Sequence, residues 1–563
     1  MPIPQVPMQL MVSGDATEAQ LHIMGDITGG HWFFGKADTD TDAADVAQAL
    51  AELPATVGAI TVHINSYGGE VAEGVAIYNA LKAHPAKVTT VCEGFACSIA
   101  SVVFMAGDER VMRPASMLML HNASMPANGD ANAHRKAADD LDTITELSRT
   151  AYLEHATDEL TPERLAQDKY LANGVHHSYD PGVITDTPAP RGYKPFYISH
   201  VGRHGSRYDL GEGENFILVT DLLTKAGEQG LLTEEGRSLL QEVSLMKDAS
   251  EGMWEMLTQR GCREHRQIAA RMMARFPAVF SSRQRKEVDA VSSTVPRCIL
   301  SMTNFLLEVS REHPRLEIRT DTGDKYMRYL MHWDSRNRAR QTTVRPDSDR
   351  YLQEHLDPGR ILGTLFTDPA AALGDFSPYR FLRTLFVCTS FTETLDMERE
   401  VDLYRYFTLD ELYILATDQS DRFYTQNANS LLYGDSTALQ GKRLLRDFVE
   451  KADAAVSGES TRAADLRFTH DTALLPFATL IGFSGMDKKA LQTDAHYYWY
   501  SGDMIPMGSN YQLVFYRKGS DILVKMLYNE KERTVPALTP VQGPYYRWAD
   551  LRSYFANLCK GAD

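Results

Sequence analysis

The chain has 563 residues, more than one hydrophobic core usually supports, and its 43% apolar content marks it as folded protein of two or more domains rather than a disordered or fibrous one. No apolar run approaches the twenty residues that span a bilayer, and Met1 to Pro7 lack the basic start of a secretory leader, so the sequence as written reads as cytoplasmic with no membrane partner. The net charge of -17 is uneven, with 23 Asp and Glu against 10 Lys and Arg in residues 1–175, which suggests separate units and argues against nucleic acid as a partner.

Residues 20–120 alternate apolar strands and helical patterns. Ala59 to Asn65 reads as a strand, Val71 to His84 as a helix and Lys87 to Val91 as the next strand, which predicts βαβ units around a largely parallel sheet. A polar helix is predicted over Ala131 to His155, with Leu141, Ile144 and Leu147 as its buried stripe. After Val175 the texture changes to a turn-rich connection, and a domain boundary is placed there. A strand at Phe196 to His200 leads into the loop Gly202-Arg203-His204-Gly205-Ser206-Arg207, mostly helical pattern runs from about 215 to 460, and a second strand ends in His470-Asp471. Six cysteines without Cys-x-x-Cys spacing give no zinc site or disulfide framework, so no metal or cofactor is expected.

Two constellations carry chemistry. In the first, Gly68-Gly69 follow a strand and precede a helix, where bare amides can face a developing oxyanion. Gly94-Phe95-Ala96-Cys97-Ser98 would expose Ser98 at a helix start, His121 follows the strand-like Met117 to Leu120, and Asp168 could orient it. Nucleophile, base and orienter then occur in the order Ser, His, Asp. The stretches INSYGGEVAEGVAIYNALKAHPAKVT, GFACSIASVVFMAGDE and MLMLHN resemble the Clp peptidase superfamily, most closely the Clp-like prohead proteases of tailed phages. The resemblance implies a ClpP/crotonase-like fold over about 15–175, Ser98 as nucleophile, His121 as general base, an oxyanion hole from the amides of Gly69 and Ile99, and homo-oligomeric rings. The family continues past the aspartate with a longer helix and a final strand, whereas here Ala172 to Val175 run into foreign sequence, which makes Asp168 the weakest member of the triad.

In the second, an imidazole can attack phosphorus while arginines neutralise the oxygens and a carboxylic acid protonates the leaving alkoxide. His204 is the candidate nucleophile, Arg203 and Arg207 supply forked cationic donors, Arg297 adds a third, His470 a further donor, and Asp471 the proton. Two positive neighbours also favour the neutral, nucleophilic imidazole. The stretches GYKPFYISHVGRHGSRY, SSTVPRCILSM and DLRFTHDTALLPFATLIGF resemble the histidine acid phosphatases, within them the multiple inositol polyphosphate phosphatases of gut Bacteroidetes. The resemblance implies an α/β core with an inserted α-helical cap, a phosphohistidine intermediate, and phytate or related inositol phosphates as substrates. The proline common two residues after the second loop arginine is absent, since Tyr208-Asp209 stands there. Family members are usually exported. A hexaphosphate needs further cations, and the sequence offers Lys194, Arg340 and Lys442 without placing them.

The expected fold class is therefore α/β: a Clp-like unit over 1–175, a linker over 176–192, and a phosphatase unit over 193–563. Its core is assigned to about 193–215, 285–335 and 460–563, and its cap to about 215–285 and 335–460. The expected function is a metal-independent phosphomonoesterase fused to a serine peptidase-like unit. The alternatives are a peptide-cleaving maturation protease with the phosphatase part as passenger, or a Clp-like unit that serves only as an oligomerisation scaffold.

Overall fold

A computed structural model describes residues 6–13, 16–29, 37–113, 116–119, 160–281, 287–330 and 335–561. Contacts divide the chain into two compact units, 1–156 and 157–563. The predicted helix at 131–155 and His121 lie outside the described residues.

In the first unit the strands β1 (Val6–Val12), β2 (Glu18–Met24), β3 (Ala59–Ser66), β4 (Lys87–Cys97), β5 (Glu109–Met112) and β6 (Met117–Met119) form one sheet in the order β1-β2-β3-β4-β5, with β6 also on β4. The pairs from β2 to β5 are parallel and β1 is antiparallel. Helices α1 (Ala43–Ala51), α2 (Val71–Ala83) and α3 (Ile99–Phe104) supply the crossovers. The strict alternation of buried and half-buried residues along β3 shows one face packed. Ile60, Val62 and Ile64 on that face meet Ile77 and Leu81 of α2.

The second unit opens with α4 (Pro162–Gln167) and is built on an eight-stranded sheet. Its strands are β7 (Lys194–Arg203), β8 (Glu287–Ser292), β9 (Glu317–Thr322), β10 (Arg462–Thr469), β11 (Asn510–Lys518), β12 (Asp521–Tyr528), β13 (Lys531–Arg533) and β14 (Tyr545–Arg547). The order is β13-β12-β11-β7-β10-β8-β9, with β14 on β12, and β7, β10, β8 and β9 run parallel. Parallel strands whose carboxyl ends lie together form the edge where open α/β sheets place ligands.

Between the strands run α5 (Glu214–Glu228), α6 (Glu234–Ser250), α7 (Gln259–Arg275), α8 (Pro296–Glu312), α9 (Ser335–His355), α10 (Pro378–Thr394), α11 (Leu409–Asn427), α12 (Lys442–Ser457) and α13 (Asp471–Ile481), and α14 (Trp548–Leu558) follows the last of them. One sheet face is covered by α12, α13 and α14, through residues such as Phe448, Phe477 and Trp548. The other is covered by α7 and α8, through Ile268, Met272, Phe305 and Val309. A separate apolar core joins α5, α6, α10 and α11 and is the helical cap.

Two boundaries depart from the sequence reading. The helices α7 and α12, assigned there to the cap, bury their apolar stripes against the sheet and belong to the core. The unit boundary falls near 156 rather than 175, because Leu160, Leu165 and Ala172 pack into the cap core and Val175 into the sheet core. Residues 176–180, read as linker, are largely buried in the second unit. A turn-rich composition marks irregular backbone, and irregular backbone can be packed. Of the two aromatic runs near the end of the chain, Tyr497 ends a 3-10 helix that Tyr498 caps, and Tyr545 to Arg547 is the strand β14.

Candidate functional site

The second constellation assembles at the carboxyl ends of the parallel strands. His204 follows β7, His470 follows β10, and Arg297 lies in the first turn of α8, five residues beyond the end of the next strand of the sheet, β8. Parallel pairing fixes this meeting: Arg203 is in register with Thr469, and Phe468 with Ser292. The His204 and His470 rings stand 5.5 Å apart, nearly edge to face. Arg203, His204, Arg207, Arg297 and His470 are all buried, and Asp471 is partly open with its side chain 18% exposed.

Each group is held by named partners. The His204 amide donates to the Thr469 carbonyl at 2.9 Å, and its Nδ1 lies 2.9 Å from the Gly205 carbonyl. A carbonyl can only accept, so Nδ1 carries the proton and Nε2 keeps its lone pair for attack. Arg203 donates to the Val175 and Ile505 carbonyls at 2.7 and 2.6 Å and meets Asp471 Oδ2 at 2.6 Å. Ser293 Oγ lies 3.1 Å from His470 Nε2, and Arg297 is 3.6 Å from Glu255. Arg207 places its guanidinium over the Phe391 ring at 5.9 Å.

The electrostatics follow from burying this many cations together. Burial, then Arg297 and Arg203, hold the His204 imidazole well below its ordinary value, so it is neutral at physiological pH. Burial and Arg297 likewise take His470 down to about 3. Arg207 falls to about 9, by burial and by the like charges of Arg297 and Arg203. Burial would raise Asp471, yet Arg203, His470, Arg207 and the Thr472 amide together outweigh it and hold the carboxyl below the usual range. A dianion entering among these groups relieves the repulsion and loosens the hold of Arg203 on Asp471, which raises the carboxyl toward the protonated form a donor needs.

Sequence reasoning missed the supports of this loop. Glu264 of α7, buried, accepts from the Ser206 amide at 2.7 Å, the Ser206 hydroxyl at 2.6 Å and the Tyr179 amide at 3.1 Å. Gly205 is needed for this approach to α7: a Cβ there would lie 2.7 Å from the Gly261 carbonyl and 2.8 Å from Glu264. His176, read as linker, is buried beside α10, and His177, read likewise, is partly buried there and meets Glu393 at 3.3 Å. Nothing local in the sequence signals these pairings, which join residues more than fifty apart, although Ser293 could have been noted as the polar residue that follows a core strand.

The three further cations stand elsewhere. Arg340 donates to Thr437 and Ser436 and Lys442 to the Lys560 carbonyl, while Lys194 starts β7 at the end opposite His204.

In the first unit Ser98 sits between β4 and α3 at φ 52°, ψ -128°, a conformation that costs a residue with a Cβ about 1–3 kcal/mol and recurs at functional turns. Its amide donates to the Met119 carbonyl at 2.8 Å. Gly68 is what lets the neighbouring loop approach: at φ 102°, a Cβ there would lie 2.7 Å from Ser98 Cβ and 3.1 Å from the Ile99 nitrogen. Ile99 opens α3, so its amide is one of the donors a helix leaves unpaired at its start. Gly69, at φ 150°, is pressed against Ile27, whose carbonyl accepts from Glu70. Asp168, expected to orient the base, belongs to the second unit, where its carboxylate accepts from the Tyr170 amide at 2.9 Å and caps the 3-10 helix Lys169–His176.

A Clp protease family model matches residues 20–172. The neighbours of the second unit come from another family altogether. Two unrelated folds share this chain. The ATP-dependent Clp protease proteolytic subunit of Deinococcus radiodurans is 34% identical over 111 residues, 19% of this chain and 53% of that protein. Its counterpart from Chlorella vulgaris is 38% identical over 73 residues, 13% of this chain and 36% of that protein. The chain thus spans about half or less of the curated relatives it matches. The multiple inositol polyphosphate phosphatase of Bifidobacterium longum, solved with inositol hexasulfate, is 19% identical with a TM-score of 0.55, over 68% of this chain and 97% of that one. The phytase of D. castellii is 16% identical with a TM-score of 0.52, over 72% and 91%. These structures establish the fold of the phosphatase-like unit. The Clp match runs past the contact division to residue 172, and Leu160, Leu165 and Ala172 within it pack in the cap core of the phosphatase-like unit. Among the described residues no helix is long and apolar enough to cross a membrane.

Proposed function

We propose that the phosphatase-like unit hydrolyses phosphate monoesters through a phosphohistidine at His204, with inositol polyphosphates, phytate among them, as substrates. The observation that carries the reading is the convergence of a neutral imidazole, three guanidinium groups and one carboxyl at a single sheet edge. Arg203, Arg207, Arg297 and His470 hold the phosphoryl oxygens. The His204 Nε2 lone pair forms the P–N bond as the P–O bond to the alcohol breaks, and Asp471 gives its proton to the departing alkoxide. Asp471, now ionised, takes a proton from a water that attacks phosphorus, which breaks the P–N bond and releases inorganic phosphate. These steps use side chains alone and route through no metal. The test is phosphate release from phytate: His204→Ala abolishes it while the fold persists, and retained turnover would remove His204 as nucleophile.

The strained turn at Ser98, with Gly68 against it and the Ile99 amide beside it, favours a second reading in which the Clp-like unit is a serine peptidase that assembles with copies of itself. Its expected mark is labelling of Ser98 by a fluorophosphonate, lost in Ser98→Ala, on a chain that light scattering finds oligomeric. An unlabelled oligomer would leave the unit as a scaffold.

A further inference from the structure

The cap holds a second concentration of positive charge away from the catalytic loop. A cavity of about 780 Å³ lies among α5, α9, α10 and α11, and Arg345, Arg380, Arg383 and Arg422 line it together with Glu214 and Asn215. Two of these arginines are pinned from behind. Arg383 pairs with Asp349 and with Asp418 at 3.0 Å, and Arg422 reaches the same Asp418 carboxylate at 3.4 Å through Nε. Asp418 is buried, so these two guanidinium groups are positioned rather than free to swing. The other two are exposed. Arg380 lies over the Phe376 ring at 5.1 Å, and among the described residues neither Arg345 nor Arg380 pairs with a carboxylate.

Four forked donors against two carboxylates and Glu214 leave the cavity with a surplus of positive charge. Burial, and after it the like charges of Arg383 and Arg345, hold Arg422 below the usual guanidinium range in spite of Asp418. A single phosphate would occupy a small part of this space. A compact frame with several anionic groups would meet all four arginines at once, in the bidentate geometry guanidinium favours.

None of Arg203, His204, Arg207, Arg297, His470 and Asp471 lines this cavity, but two of its walls lead to Arg207. Arg380, Arg383, Thr384 and Val387 share one face of α10, and Phe391, one turn beyond Val387, carries Arg207 on its ring. Arg383 and Phe391 are eight residues apart, about 12 Å along the helix axis at 1.5 Å per residue. In the opposite wall Asn215 donates to both carboxylate oxygens of Asp209 at 3.0 Å, two residues from Arg207.

We propose that this cavity is a second anion site, which takes a small molecule bearing several phosphate or sulfate groups and is distinct from the phosphate pocket at His204. The experiment is a calorimetric titration of the full chain with inositol hexasulfate, which carries no phosphate ester and so reports binding whether or not His204 is a nucleophile. Two molecules bind per chain. In Arg345→Ser/Arg380→Ser one event weakens by about tenfold or more, as expected for the loss of two charge-assisted contacts, while the other event and the hydrolysis of an aryl monophosphate are unchanged. Arg207→Ala has the converse effect. The proposal is overturned if the double variant titrates like the unmodified chain, if the unmodified chain shows one event that Arg207→Ala abolishes, or if inorganic phosphate fills the cavity as tightly as the hexasulfate. Both substituted arginines are exposed and unpaired with carboxylates, so the thermal midpoint should not move, and a shifted midpoint with both events lost would also count against the assignment.

Discussion

Asp471→Asn separates proton donation from phosphate binding. The asparagine keeps the size of the side chain and can still accept from Arg203, which now sits 2.6 Å away, but it has no proton to give an alkoxide. Loss of a positioned general acid costs about 10²- to 10⁴-fold in rate, or about 3–5 kcal/mol at 1.36 kcal/mol per decade. That loss should appear in full for an alkyl phosphate such as phytate, whose leaving oxygen is strongly basic. It should shrink to about tenfold or less for a nitrophenyl phosphate, whose phenolate departs without a proton, because the benefit of an acid follows the basicity of the leaving group. The assay compares kcat on the two substrates for both proteins. Breaking a buried pair costs about 3–5 kcal/mol when one charge is left alone. Arg203 keeps the Val175 and Ile505 carbonyls, so the fold should survive with a lowered thermal midpoint. Equal losses on the two esters, or less than a tenfold loss on phytate, would refute the role given to Asp471.

Three other expectations follow from the geometry. Glu264→Gln places an amide donor toward Ser206 or Tyr179, which are donors themselves, so it should destabilise the unit by about 1–3 kcal/mol and lower kcat through a displaced Arg207; Glu264→Asp should not restore both bonds to Ser206, and chemical denaturation alongside kinetics reads the two effects. Gly68→Ala drives a Cβ into Cys97 and Ser98 and should cost the Clp-like unit more than the roughly 1 kcal/mol of an ordinary glycine replacement, seen as an earlier unfolding transition with the phosphatase activity unaltered. Burial opposes a charge on His177, yet Glu393 outweighs it and raises the imidazole to about 9. A raised folded value stabilises fully below the unfolded value near 6.5 and fades as pH climbs through about 9. The stability gap between the unmodified chain and His177→Gln should therefore be flat below about pH 6.5 and close toward pH 9 to 10, and a gap that widens there would contradict the pairing.

Much of this protein is legible from local sequence, and the reason is periodicity. Ala59 to Asn65 and Lys87 to Val91 are strands because their alternation buries one face, and Val71 to Ala83 is a helix because its apolar residues recur at helical spacing. The loop Arg203-His204-Gly205-Ser206-Arg207 and the pair His470-Asp471 each stand out by residue type, and strand ends are where such residues meet ligands. What sequence could not supply is the pairing of distant groups. The parallel register of β7, β10 and β8 brings His204, His470 and Arg297 to one edge across more than 250 residues of chain. Packing also decided that Val175 to Tyr179 is packed against the loop Arg203 to Arg207 and its support Glu264 and is not a tether, that Asp168 caps a helix of the second unit, and that α7 and α12 cover the sheet rather than the cap. Chemistry is written in residue types and short spacings, which a sequence displays directly. Register, burial and the partner of each charge arise only when the chain closes on itself, and there the tertiary structure alone chose.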